Sequence, residues 1–275
     1  MSRIASAWFV AIMFLTGASV AFAQPAPSAH ATISLIAEDG AFKPGQTAWT
    51  GLLFDLEPGW HIYWVNPGDA GDPPRVQWEL TAGFRAGEIR WPVPTRFATG
   101  PVVDYGYEGR VLLAVPLQVP ASFKAGAPAP IAADIRYVIC KDVCISARAR
   151  ATFPSLPPSG PPTAAARRAL FTDARALWPK PAPAGWNMKA LSNGRQVVLS
   201  AEAGAKESVA TFFPLDADEI DNVAPQALTS TARGLQLTLQ RADPDAKPPA
   251  MLKGVLVLGR GRAFDVAVPI TNQTR

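Results

Sequence analysis

The chain has 275 residues, 26 Lys and Arg against 22 Asp and Glu, and a formal net charge of +4. So weak a charge, with no basic run interleaved with aromatics, excludes nucleic acid as the natural partner. With 28 prolines and 21 glycines, and hydrophobic runs that alternate instead of following a helical period, the composition calls for β-structure with many turns.

The first segment is a leader. Arg3 forms a short basic region, residues 7–20 are apolar, and Ala21-Phe22-Ala23 before Gln24 fits a small-x-small cleavage site, so residues 1–23 read as a signal peptide that is removed. The apolar core is short for a retained membrane anchor of ~20 residues, and no later stretch is long and apolar enough to span a bilayer. The mature protein is therefore expected to be soluble in an exported, oxidising compartment, where disulfides persist. Roughly 250 mature residues suggest two domains.

Residues 24–28 are a lead-in. Residues 31–37, 48–56 and 61–65 then read as strands, with a Pro58-Gly59 turn before the last. His61, among aromatics, is either a packed core histidine or a site residue. Residues 66–74 (Asn-Pro-Gly-Asp-Ala-Gly-Asp-Pro-Pro) are dense in turn formers; Asp69 and Asp72 raise calcium as an alternative, but the glycines and prolines already explain a turn. Residues 76–80 form a strand, and the prolines of Trp91-Pro92-Val93-Pro94 keep that piece off a central ladder. Tyr105-Gly106-Tyr107-Glu108-Gly109 leads into a strand at 111–115. Tyr105, Tyr107 and Glu108 either shield a neighbouring disulfide or pack as a glycine-flanked turn on the sandwich edge. Trp60, Trp64, Trp78 and Trp91 are assigned to the core.

The only cysteines, Cys140 and Cys144, stand in Ile135-Arg136-Tyr137-Val138-Ile139-Cys140-Lys141-Asp142-Val143-Cys144-Ile145. Residues i and i+4 of a straight strand are roughly 13 Å apart, beyond the ~4.4–6.8 Å a disulfide tolerates between Cα atoms. If the two pair, the chain must turn between them. Alternation on both flanks agrees, which gives a hairpin with a disulfide-capable tip. Closing about five residues stabilises by only ~2 kcal/mol in the chain-entropy estimate, so the bond is a poor staple; exposed disulfides are the exchangeable ones. Arg136, Lys141, Arg148 and Arg150 would favour a thiolate if they face the sulfurs. On spacing alone, a redox-active pair and a static structural disulfide both stand.

Residues 153–162 are a Pro-rich linker, and Thr163 caps an Ala-rich helix that runs to about Leu177 and is stopped by Pro179. Alternation returns from Trp186 in five further strands without cysteines. The expected fold is all-β: two immunoglobulin-like antiparallel β-sandwich domains, at 29–157 and 185–275, joined by a Pro-rich linker and short helix at 158–184.

The succession Gly59-Trp60-His61-Ile62-Tyr63-Trp64-Val65-Asn66-Pro67-Gly68-Asp69-Ala70-Gly71, then Trp91-Pro92-Val93-Pro94, Tyr105-Gly106-Tyr107-Glu108-Gly109 and Val138-Ile139-Cys140-Lys141-Asp142-Val143-Cys144 resembles the periplasmic N-terminal domain of the DsbD and ScsB family of thiol–disulfide interchange proteins. Phe212-Phe213-Pro214, Ile220-Asp221-Asn222 and Ala224-Pro225-Gln226 resemble the second domain of the ScsB branch, and the cysteines, closer together than in the DsbD branch, also resemble the ScsB branch. The resemblance implies an immunoglobulin-like fold and a cysteine pair that passes electrons to exported client proteins, Cys144 forming the mixed disulfide and Cys140 resolving it. The chain stops at Arg275 without the membrane and thioredoxin-like domains of full-length relatives. The expected electron source is therefore a thioredoxin-like redox protein or membrane electron transporter encoded separately. Such exchange needs no metal or organic cofactor. Two other classes remain: a copper-binding or copper-tolerance protein using Cys140 and Cys144 with His61 or Met188, and a structural interaction module with a static disulfide.

Overall fold

The computed structural model describes residues 29–39, 41–153 and 163–272. The leader at 1–23 and the prolines at 154, 157, 158, 161 and 162 lie outside the described residues. No described helix is long and apolar enough to cross a membrane.

The first half of the chain holds β1 (Ala31–Ala37), β2 (Thr47–Leu56), β3 (His61–Gly68), β4 (Arg75–Glu79), β5 (Arg85–Ala86), β6 (Thr95–Thr99), β7 (Val102–Glu108), β8 (Arg110–Gln118), β9 (Ile131–Cys140) and β10 (Cys144–Phe153). One sheet runs β1-β2-β8-β5 and the other β10-β9-β3-β7-β6, with β4 added to the part of β9 that β3 leaves free. Period-2 alternation directs Leu52, Phe54, Leu113 and Leu117 from one sheet, and Ile62, Trp64, Ile135, Tyr137 and Ile139 from the other, into one core. Trp64 is buried in it, while Trp60, Trp78 and Trp91 pack against its margin half-exposed.

Buried runs in β2 and β8 break that alternation, because their outer faces are covered too. Helix α1 (Ala164–Ala176) lays Phe171 and Ala174 on Ile36, Leu53, Leu112 and Ala114. Thr163 caps it as the sequence indicates, its hydroxyl accepting from the Ala166 amide at 3.1 Å. Arg175 grips Glu38 with both guanidinium nitrogens at 2.7 and 2.6 Å, which fixes the helix to the end of β1.

The second half comprises β11 (Asn187–Ser192), β12 (Gln196–Glu202), β13 (Ala210–Pro214), β14 (Ala227–Thr231), β15 (Gly234–Gln240), β16 (Met251–Leu258) and β17 (Arg262–Asn272), in the order β13-β16-β17-β11-β12-β15-β14. Leu199, Leu237, Leu239, Leu252, Leu256 and Phe212 form its core. β17 pairs antiparallel with β16 and then, at Ile270, Thr271 and Asn272, parallel with β11. The sheets are antiparallel as expected apart from this short parallel pairing, through which one long strand serves both sides of the sandwich.

The two halves are tightly joined. Phe213 meets Trp64 and Tyr105 edge-on at 6.3 and 5.3 Å between ring centroids, and with Val255 and Ala263 it extends the first core. Asn66 donates across the same junction to the carbonyls of Pro214 and Asp216.

Candidate redox site

β9 and β10 pair in unbroken register from Ile131 opposite Phe153 to Cys140 opposite Cys144, leaving Lys141, Asp142 and Val143 as the turn. The disulfide closes the last rung, with Cα atoms 4.2 Å apart. The hairpin thus removes the separation that a straight strand would impose.

Sheet position makes the two sulfurs unequal. Odd-numbered residues of both strands face the core, so Cys140 and Cys144 lie on the outer face. β10 is the edge strand, and Cys144 is exposed. Cys140 lies one strand further in, where β3 crosses beside it, and is only 2 % exposed.

The group that covers Cys140 is Tyr63. Its hydroxyl donates to Cys140 Sγ at 2.8 Å and lies 3.6 Å from Cys144 Sγ. Burial, and secondarily the charge of Asp104, push its pKa up, so the phenol remains a proton donor at any physiological pH. Its ring is roofed by the backbone of Gly71: a Cβ there would stand 2.1 Å from Tyr63 Cζ, and φ is +80°. Only glycine fits both constraints. The roof is pinned by Asp104, which accepts from the Ala70 amide at 3.1 Å, and by Asp69, which accepts from Val103 N at 2.7 Å. Asp69 also accepts from Asn222 of the second half at 2.8 Å, and Asn222 in turn accepts from the Tyr105 hydroxyl at 3.0 Å. The turn-rich stretch at 66–74 is thus a lid over the tyrosine that touches the disulfide.

His61 pairs with Cys140 on one side and Glu108 on the other, which sets Cys140, His61 and Glu108 in a row across β9, β3 and β7. The imidazole stacks on Phe97 at 4.7 Å and meets Tyr63 edge-on at 5.4 Å. Its Nε2 is 4.0 Å from Asp104, too far for a hydrogen bond, and has no hydrogen-bond partner among the described residues. Burial lowers its pKa, with Glu108 opposing, and burial likewise raises that of Asp104.

Other sequence candidates are turned elsewhere. Tyr105 and Tyr107 face the core, with hydroxyls donating to Asn222 and to the Pro92 carbonyl, so the tyrosine beside the disulfide is Tyr63 instead. Arg150 is held by Glu79 and Asp134, and Lys141 lies along Gly59. Met188 packs on the second core. Among the described residues no group of three or more His, Cys, Asp or Glu is arranged to hold a metal.

Fold and site together define an immunoglobulin-like disulfide domain with one open and one covered sulfur. Residues 32–155, which contain both cysteines and Tyr63, match the family model described as "Thiol:disulfide interchange protein DsbD, N-terminal". The crystal structure of the N-terminal periplasmic domain of ScsB from Proteus mirabilis superposes with a TM-score of 0.66 at 19 % identity, over 89 % of this chain and 94 % of that one. That likeness carries the shared fold across the second half as well. The YadV chaperone, at 11 % identity over 80 % of this chain and 91 % of its own, has a TM-score of 0.20, which carries no argument. A comparison with curated proteins found no match.

Proposed function

We propose that the chain is a periplasmic thiol–disulfide exchange module that takes reducing equivalents from a thioredoxin-like donor and delivers them to exported clients through Cys140 and Cys144. The observation that carries this reading is the asymmetry of the pair: Cys144 is open, and Cys140 is buried under a hydrogen-bond donor. A donor thiolate attacks Cys144 Sγ in line with the disulfide. The S–S bond breaks, its electron pair goes to Cys140 Sγ, and the Tyr63 O–H stabilises the thiolate that leaves. The donor's second thiolate then attacks the donor sulfur of the mixed disulfide. The donor departs oxidised, and Cys144 is released as a thiolate.

Delivery reverses these roles. The Cys144 thiolate attacks a client disulfide, one client sulfur leaves, and Cys140 attacks Cys144 Sγ to re-form the ring and free the second. Two electrons pass in each cycle. The ScsB domain is described as periplasmic, and the leader-like residues 1–23 support the same compartment here. Neither the copper-binding reading nor the static-disulfide reading is favoured by a specific observation.

The test is the reduction potential of the pair, measured by equilibrating the protein against defined glutathione or dithiothreitol ratios. A value in the ~−120 to −270 mV range of exchange proteins is expected. A value below ~−300 mV, with no acceleration by a thioredoxin-like protein, overturns the proposal in favour of a structural bond.

A further inference from the structure

The outer face that carries the cysteines also carries a row of arginines that the fold does not explain. Arg75, Arg136 and Arg148 are directly opposite one another across β4, β9 and β10. Like charges at paired sheet positions destabilise the pairing, so such a row is a cost to the folded state unless something neutralises it. One rung away the same sheet handles its charge differently. Arg150 is clasped by Glu79 and Asp134, and Arg75 is 3.7 Å from Asp72. Arg136 and Arg148 are exposed, and neither guanidinium has a hydrogen-bond or ion-pair partner among the described residues. The row lines an open groove of ≈ 580 Å³ together with Gln77, Asp134 and Arg150.

The row's position relative to the disulfide suggests its use. Cys144, Ser146 and Arg148 follow one another on the same face of β10, as Cys140, Val138 and Arg136 do on β9. The arginines therefore stand roughly 13 Å from the reacting sulfur along the strands, beyond the Debye length of ~10 Å at 0.1 M salt and too far to tune a thiolate strongly. They are within the footprint of any protein whose own cysteine is bonded to Cys144. At the other end of that footprint Val143 is 63 % exposed at the hairpin tip.

We propose that this face is the docking surface for the exchanging protein, and that the partner bears carboxylates about four extended residues from its reactive cysteine. Those carboxylates sit over Arg136 and Arg148 while an apolar side chain meets Val143. Charge complementarity at a rim acts mainly by steering encounter and fixing orientation. The surface therefore sets which disulfides are served, and in which register, with the chemistry left to the cysteines and Tyr63. This proposal rests on the exchange reading above.

The experiment follows reduced full-length protein reacting with three synthetic peptide disulfides, identical except that the residues following the cysteine are glutamates, glutamines or lysines. Reaction with the glutamine peptide tests the exchange reading by itself, because it needs no arginine. A failure there is separate from a failure of docking. The expected result is a rate about tenfold faster with the glutamate peptide than with the glutamine peptide at low ionic strength, collapsing in high salt. In Arg136→Gln/Arg148→Gln the preference is lost while the glutamine-peptide rate holds. Arg195→Gln/Arg233→Gln, which removes the same net charge from the second domain, keeps the preference. Equal rates for all three peptides in the wild type, or a preference that survives in Arg136→Gln/Arg148→Gln, overturns the proposal. So does arginine-dependent cosedimentation with phosphatidylglycerol vesicles without any peptide preference, which would assign the face to a membrane surface.

Discussion

Replacing Tyr63 by Phe tests the proposed chemistry most directly, because it removes one oxygen atom and leaves the ring under Gly71. The hydroxyl is 2.8 Å from Cys140 Sγ in a side chain that solvent does not reach. A hydrogen bond to a charged group contributes ~1.5–3 kcal/mol. At 1.36 kcal/mol per pKa unit, its loss raises the Cys140 thiol pKa by about 1–2 units. When an external thiolate attacks Cys144, Cys140 is the leaving group. With roughly half of the negative charge developed on it in the transition state, the rate falls about 3–10-fold. The assay is stopped-flow tryptophan fluorescence of the oxidised protein under excess dithiothreitol, together with a titration of thiolate absorbance in the reduced protein. A Tyr63→Phe variant whose rate and thiol titration both coincide with the wild type would refute the role given to the hydroxyl. The phenol's upward-shifted pKa keeps it from losing its proton in the pH range of the assay.

The cysteines are expected to behave unequally when separated: in Cys140→Ser the exposed Cys144 is alkylated rapidly by iodoacetamide and traps a persistent mixed disulfide, whereas in Cys144→Ser the buried Cys140 reacts slowly. Equal alkylation rates would contradict the assigned order. Gly71→Ala forces a Cβ into the Tyr63 ring and a non-glycine residue to φ +80°, so urea unfolding should show a loss of about 2 kcal/mol or more; an unchanged midpoint would mean that the lid does not hold the ring. Burial, with Asp216 adding and Lys253 opposing, holds the Glu219 carboxyl up at about 7, against 4.5 for the unfolded chain. The folded state thus binds a proton that the unfolded state has lost, and stability falls as pH rises from 4.5 through about 7. Glu219→Gln should therefore be more stable than the wild type above that window and gain nothing below it, as read by thermal melts across pH.

The junction between the halves reaches into the site. Asn222 of the second half holds Asp69, whose neighbours Ala70 and Gly71 form the lid over Tyr63, and Arg96 donates to the Asn222 carbonyl. The second half therefore supports the roof over Tyr63, and the shared apolar contact of Phe213 with Trp64 and Tyr105 keeps the two halves from moving apart freely.

Much of this protein follows from short-range rules that act on the sequence directly. Alternation of apolar residues gave the strands, because a side-chain period of two must match the pleat wherever one face is buried. The five-residue cysteine interval required a turn because a straight strand cannot bring those Cα atoms together. Thr163 and Pro179 bounded the helix because capping and the missing proline amide act locally.

What the sequence left open depends on which strands become neighbours. Tyr63 shares an outward parity with His61, but its contact with Cys140 arises only once β3 is placed beside β9, 77 residues away in sequence. Tyr105 and Tyr107 sit in an equally suggestive motif, yet odd parity on β7 turns them into the core. The unequal cover of the two sulfurs has the same origin. Sequence makes Cys140 and Cys144 equivalent members of a hairpin, and only the position of β10 at the sheet edge, with β3 on the other side of β9, buries one and leaves the other open to attack.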